Sequence, residues 1–133
     1  MSATVEVVVP DSDGRGFLKF EYAQDNDYWV SIQFEGASAR VRQGNYAGGD
    51  GLPHFFASMA KDWKGWKKVR RWKSPMGGLE LDAEHDGRSK VLLTVKLGPY
   101  SKPWVWNLEA TLDVAPGELE GIAADLNDLF EPR

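Results

Sequence analysis

The chain contains no cysteine, which excludes disulfides, thiolate nucleophiles and zinc sites built on sulfur. It has only two histidines, His54 and His85, so acid–base and metal chemistry near neutral pH has few candidates. No window approaches the roughly 18 apolar residues of a membrane-spanning helix. The N-terminal stretch MSATVEVVVP has neither a basic segment nor a long apolar one, so no signal peptide is expected and the expected compartment is the cytoplasm. What is present suits a single domain, because 133 residues fall within the usual range of about 100–150. Six Trp, six Phe and four Tyr are a heavy aromatic load, and most are expected inside.

The net charge of −4 hides a division. Residues 61–73, KDWKGWKKVRRWK, hold seven Lys or Arg and one Asp, a local balance of +6 against −10 elsewhere. Such asymmetry governs encounters with charged partners rather than the fold.

Alternating, β-branched residues at 4–10 predict a first strand ended by Pro10. Residues 17–22 and 28–35 predict the next two, with Leu18, Phe20 and Tyr22 facing the same way as Tyr28, Val30, Ile32 and Phe34. Pairing Tyr22 with Tyr28 keeps those sets together. A two-residue turn at Gly36-Ala37 would align Ile32 with Val41 and send Arg40 and Arg42 to the opposite face. After a glycine-rich loop, Asp50 can cap a helix whose apolar stripe runs Leu52, Phe55, Phe56, Met59, Ala60, Trp63. Gly65 is the expected left-handed end of that helix, with Trp66 folded back over its last turn. Residues 67–77 read as a connector.

A hairpin follows, its loop expected at His85-Asp86-Gly87, which pairs Glu84 with Arg88 and Asp82 with Lys90. A last long strand carries Trp104, Trp106, Leu108, Ala110, Leu112 and Val114 on one face. Pro116 opens a final helix with Leu119, Ile122, Ala123, Leu126 and Phe130 inward. The expected fold is therefore α+β with two amphipathic helices, in the order ββββαβββα. Its antiparallel strands form either a single curled sheet or a two-layer sandwich. Strands then a helix, twice over, would suit a duplicated unit, although the halves share little residue identity.

Catalytic signatures are absent. Neither histidine has a second histidine or carboxylate at metal-binding spacing, so no metal ligand or cofactor is expected. Asp11 to Gly16 superficially opens like a calcium loop, but Arg15 and Tyr22 stand where oxygen ligands belong. Glu80, Asp82 and Glu84 share one strand face about 7 Å apart, a spacing that two-carboxylate hydrolysis could use. A solvated outer face answered by Arg88 and Lys90 explains them as well.

The basic, Trp-interleaved segment is the strongest functional feature. Lys67, Lys68, Arg70, Arg71, Trp72 and Lys73 form the expected partner-binding surface, Trp72 being the indole without an evident structural role. Trp63 is expected in the core. A secondary patch lies on the strand face opposite the core set, where Phe17, Trp29, Arg40 and Arg42 gather beside Lys19 and Gln33. The other half of the chain is expected to cover it.

FFASMAKDWKGW, the later Trp72 before a Ser-Pro turn, LELDAEHDGRSKVLLTVKL and PGELEGIAADLNDLF together resemble a family of small, uncharacterised actinobacterial proteins. The likeness spans roughly residues 28–130, with W-x-G-W and H-D-G-x-x-x-V-x-L-x-V-x-L as its characteristic elements. It implies no activity. By size and composition it is similar to the immunity or accessory proteins of bacterial toxin systems. The leading expectation is thus a non-enzymatic intracellular protein that recognises a protein partner. The alternatives are a nucleic-acid-binding accessory protein using residues 61–73, and a small-molecule binder or hydrolase with His54 or His85 at the mouth of a cavity.

Overall fold

The computed structural model describes residues 3–102 and 104–132. Within them lie eight strands and two α-helices: β1 (Glu6–Pro10), β2 (Gly16–Tyr22), β3 (Tyr28–Phe34), β4 (Ala37–Gln43), α1 (Leu52–Lys61), β5 (Arg70–Lys73), β6 (Leu79–His85), β7 (Val91–Leu97), β8 (Leu108–Val114) and α2 (Leu119–Leu129). The fold is α+β, and the strands divide into two four-stranded antiparallel sheets, β1-β2-β3-β4 and β5-β6-β7-β8. The expected order is present with one strand more: β5 lies in the stretch read as a connector. With it, each half of the chain has the same order, ββββα. None of the helices among the described residues is long and apolar enough to cross a membrane.

Alternation dictates the packing. Leu18, Phe20, Val30 and Ile32 from the first sheet and Leu81, Leu93, Val95 and Leu112 from the second turn inward. α1 contributes Leu52, Phe55, Phe56 and Met59, and α2 contributes Leu119, Ile122, Leu126 and Leu129, at the helical spacing that forms one stripe. All belong to one contiguous core, and the two helices pack against each other.

Tyr22 pairs with Tyr28 as expected. The next hairpin turns one residue earlier, at Glu35-Gly36, and aligns Ile32 with Ala39 and Val30 with Val41. Both turn residues have positive φ, 47° and 88°, the backbone that matches the twist of a two-residue hairpin. The β6–β7 loop is longer than expected, because His85 still pairs with Val91 and Glu84 meets Leu92 rather than Arg88. Asp86 explains the length: its Oδ1 accepts from the amides of Arg88, Ser89 and Lys90. Those bonds, Lys90's first, hold its carboxyl below the usual range. The register shift is even in both hairpins, so every side chain keeps its expected face.

Other boundaries move for local reasons. Asp50 does not cap α1; its carboxylate takes the amides of Tyr46 and Ala47, and Gly51 occupies the cap position. Gly49 approaches α2's end so closely that a Cβ there would lie 2.4 Å from the Phe130 ring. α1 ends at Lys61, before Gly65, so Trp63 falls outside the helical stripe and is 53% exposed. The last strand begins only at Leu108, leaving Trp104 78% exposed in the β7–β8 loop, with Trp106 also outside the sheet.

Candidate functional site

The basic segment is largely consumed by structure. Trp72 is buried, and its indole N–H donates to the Asp50 carbonyl at 3.0 Å, tying β5 to the start of α1. The expectation of a free indole is corrected accordingly. Arg70 shares the inward side of β5. It bonds the Ser58 carbonyl at 2.9 Å and Asp62 at 2.6 Å, with its guanidinium 4.7 Å from the Trp66 ring. Arg71 and Lys73 point the other way, directly opposite Asp82 and Glu80 in the β5–β6 register. They pair with those carboxylates at 3.3 and 4.0 Å. Lys67 and Lys68 are exposed and make no ion pair among the described residues. Four of the six residues expected to meet a partner therefore bind this chain instead.

The W-x-G-W and H-D-G elements meet one another. His85 closes β6 with its side chain fully buried; Nε2 lies 2.9 Å from the Trp63 carbonyl, and Nδ1 accepts the Gly87 amide at 2.9 Å. An acceptor at Nδ1 assigns the proton to Nε2, which then donates to Trp63. Trp66 sets its edge against the imidazole at 5.2 Å, and a Cβ on Gly65 would lie 3.6 Å from Nδ1. The constellation is a clasp between the end of α1 and the second sheet. With both ring nitrogens engaged, His85 has no free nitrogen to offer a ligand.

His54 is exposed, as its place in the first helical turn suggested, and it lines an open groove of about 810 Å³ between the outer sides of α1 and α2. Ala57, Ala60, Ala123 and Ala124 form its lining, and Trp63 and Lys61 flank one side. Glu120 lies on the opposite helix. Small side chains bring the groove close to both helix backbones, the geometry that admits another element. Sequence reasoning missed this site because it read Ala60 and Ala123 as parts of the inward stripes, and nothing in hydropathy shows that they meet Ala57 and Ala124 in a channel where the two helices pack.

The secondary patch is brought together, and it is open. Arg40 places its guanidinium 4.2 Å from the Trp29 ring centre, Arg42 lies 5.8 Å from it, and Lys19 lies 5.7 Å from the Phe17 ring. Arg40 and Arg42 keep 52% and 44% of their side chains exposed, so the expected covering by the other half is absent. Glu80, Asp82 and Glu84 do share one outer face, where Asp82 is shared by Arg71 and Lys96. Lys90 turns to Asp113 at 3.3 Å, not to Asp82.

The Asp11 loop binds an arginine. Its carboxylate takes the Arg15 guanidinium through two bonds at 2.9 and 3.0 Å, along with the amides of Asp13, Arg15 and Asp113. Arg15 above all, together with those amides, holds Asp11 far below the usual carboxylate range despite burial. Since Asp113 belongs to β8, this cluster joins the two halves. Among the described residues no group of three or more His, Asp or Glu is placed to hold a metal ion.

No curated protein and no solved structure matches the chain. A family model does match, over residues 12–133, which includes both clasp elements, the helical groove and the residues that bond Asp11, though not Asp11 itself. The chain belongs to that family, described as a family of unknown function, DUF6228.

Proposed function

We propose that this protein is a non-catalytic, cytoplasmic binding protein of the immunity or accessory type, and that it receives a protein partner across the α1–α2 groove. The observation that carries this reading is the groove itself, an alanine-lined channel with the exposed Trp63 at one side. Partly exposed Trp beside small residues is the composition of an interface anchor. Lys61 lines the groove and Lys64 lies 5.5 Å from the Trp63 ring, both exposed cations, which favours an acidic partner, and the exposed Lys67 and Lys68 follow close in the chain. Arg70 and Trp72 brace α1 from the side of β5. A single amphipathic helix would fit the channel, its apolar stripe over the alanines.

The test is a tagged pull-down from the native cytoplasm with and without nuclease, comparing wild type with Ala60→Glu and Trp63→Ser. One stoichiometric protein that survives nuclease and is lost with either variant is the expected result. Equal recovery by both variants, each with an unchanged melting temperature, would remove the groove from the interface. Recovery that depends on nucleic acid would favour the basic segment as a nucleic-acid contact.

A further inference from the structure

Two four-stranded sheets have four edges, β1, β4, β5 and β8. β1 ends at Pro10, and the residues after it meet β8, where the Ser12 amide bonds the Asp113 carbonyl at 2.7 Å. β5 is only four residues long and runs into Ser74-Pro75. β4 and β8 each have seven residues, no proline and an unbroken register with their neighbour, but β8 is met at Asp113 by Ser12, whereas among the described residues no backbone bond reaches the outer side of β4. Natural sheets rarely leave such an edge without a purpose, since its backbone groups are a template for another strand.

The turn fixes which groups face outward. Phe34 and Ala37 flank the two-residue turn and form the first bonded pair, so alternate residues Ala39 and Val41 also bond inward. The amides and carbonyls of Ser38, Arg40 and Arg42 therefore point away from the sheet, and all three residues are exposed. The side chains at these positions stand on the face that carries Trp29.

We infer that β4 is a docking edge for an extended, acidic segment of a partner protein, which adds as a fifth strand beside Arg40 and Arg42. A second copy of this chain fits poorly. Antiparallel pairing of β4 with itself about Arg40 would set Arg40 against Arg40, and like charges directly opposite destabilise a ladder. An incoming strand with carboxylates at alternate positions meets Arg40, whose 3.8 Å pair with Glu21 is shared with Lys19, and competes with Asp27 for Arg42, while its main chain meets the three open backbone positions. The Arg40 guanidinium lies 4.2 Å from the Trp29 ring centre with half of its side chain exposed, and a ring beneath it engages its face rather than its N–H donors. The edge lies outside the α1–α2 groove, so loss of one reading leaves the other standing.

The probe is a blocked eight-residue peptide alternating Glu and Thr, with its Lys–Thr counterpart as control, followed by amide exchange resolved by residue. The Glu peptide is expected to slow exchange at Ser38, Arg40 and Arg42 and to bind at least about tenfold more tightly than the Lys peptide. Ser38→Pro removes one outward amide that the sheet does not use, so it should fold normally and abolish the protection. The pair Arg40→Glu and Arg42→Glu should reverse the preference between the peptides, which keeps the test open if the proline variant is unstable. Equal binding of both peptides, no protection, or β4 amides already protected by self-association would each overturn the inference.

Discussion

The two sheets are built alike, as four-stranded meanders turning one face to a shared core, yet their outer faces treat charge differently. On the second sheet Arg71 and Lys96 converge on Asp82, Lys73 faces Glu80, and Thr94 bonds Thr111 across the strands. Cations there are answered by carboxylates in register. On the first sheet Arg40 lies over Trp29 and Lys19 near Phe17, with Glu21 shared between those two cations at 3.8 and 3.5 Å, while Arg42 pairs with Asp27 at 2.9 Å and donates to the Gln24 carbonyl at 3.1 Å. A carboxylate partner uses up the donors of a guanidinium, whereas an aromatic ring uses its face and leaves the donors available. The second outer face is therefore closed chemistry, whereas on the first Arg42 is answered by Asp27 but Arg40, 52% exposed and 3.8 Å from Glu21, keeps donors free, and that difference separates two halves that share one topology.

The comparison holds only while the halves are joined, and the largest expected effects lie at their ties. Trp72→Ala empties a buried indole volume between β5 and α1 and orphans the Asp50 carbonyl, at a cost of about 3–5 kcal/mol in urea unfolding. A smaller loss, near that of a surface tryptophan, would mean that β5 is not docked as described. Asp11→Asn comes next. It leaves Arg15, whose side chain is 36% exposed, without its carboxylate partner at the junction with Asp113, and loss of the charge-assisted bonds to the Asp11 carboxylate costs about 1–3 kcal/mol. Because the folded-state pKa of Asp11 is depressed, its contribution is fully present above the unfolded value of 3.8 and fades as pH falls below it. Wild type should therefore lose stability more steeply than Asp11→Asn on acidification below about pH 4. Parallel pH profiles would refute the assignment.

Which parts of this were legible in the sequence follows from the length of each pattern. The inward sets of β2, β3, β6 and β7 alternate over seven residues and fix their faces whatever the loop does. Loop register was not legible, because it rests on the side chain of Asp86 and on positive φ at Glu35, which hydropathy does not report. β5 was hidden for a related reason. Arg-Arg-Trp-Lys shows one inward apolar residue in four, and its inward arginine is stabilised by Ser58, Asp62 and Trp66, none of them neighbours in the strand. The candidate surfaces divide likewise. The Trp29–Arg40–Arg42 face follows from strand parity alone, whereas the groove depends on how two helices pack and on Trp63 lying beyond the helix end.

The smallest predicted effect is also the most direct comparison of the two faces. Asp82→Ala removes a carboxylate shared by two solvent-facing cations, Arg71 at 3.3 Å and Lys96 at 3.6 Å, and its cost is expected at about 0.5–1 kcal/mol. Trp29→Ala removes a half-buried ring with Arg40 stacked on it, at about 1 kcal/mol. The magnitudes are similar, but the physics is not. Ion pairs at the surface are screened over about 10 Å at 0.1 M salt and over less at higher concentrations. The burial of an indole against the sheet is not screened. Urea unfolding at about 0.1 M and about 1 M sodium chloride should then shrink the Asp82→Ala difference by half or more while leaving that of Trp29→Ala nearly unchanged. If both shrank together, the first face would be held by Glu21 and Asp27 rather than by the ring, and its arginines would have no more free donors than those of the second.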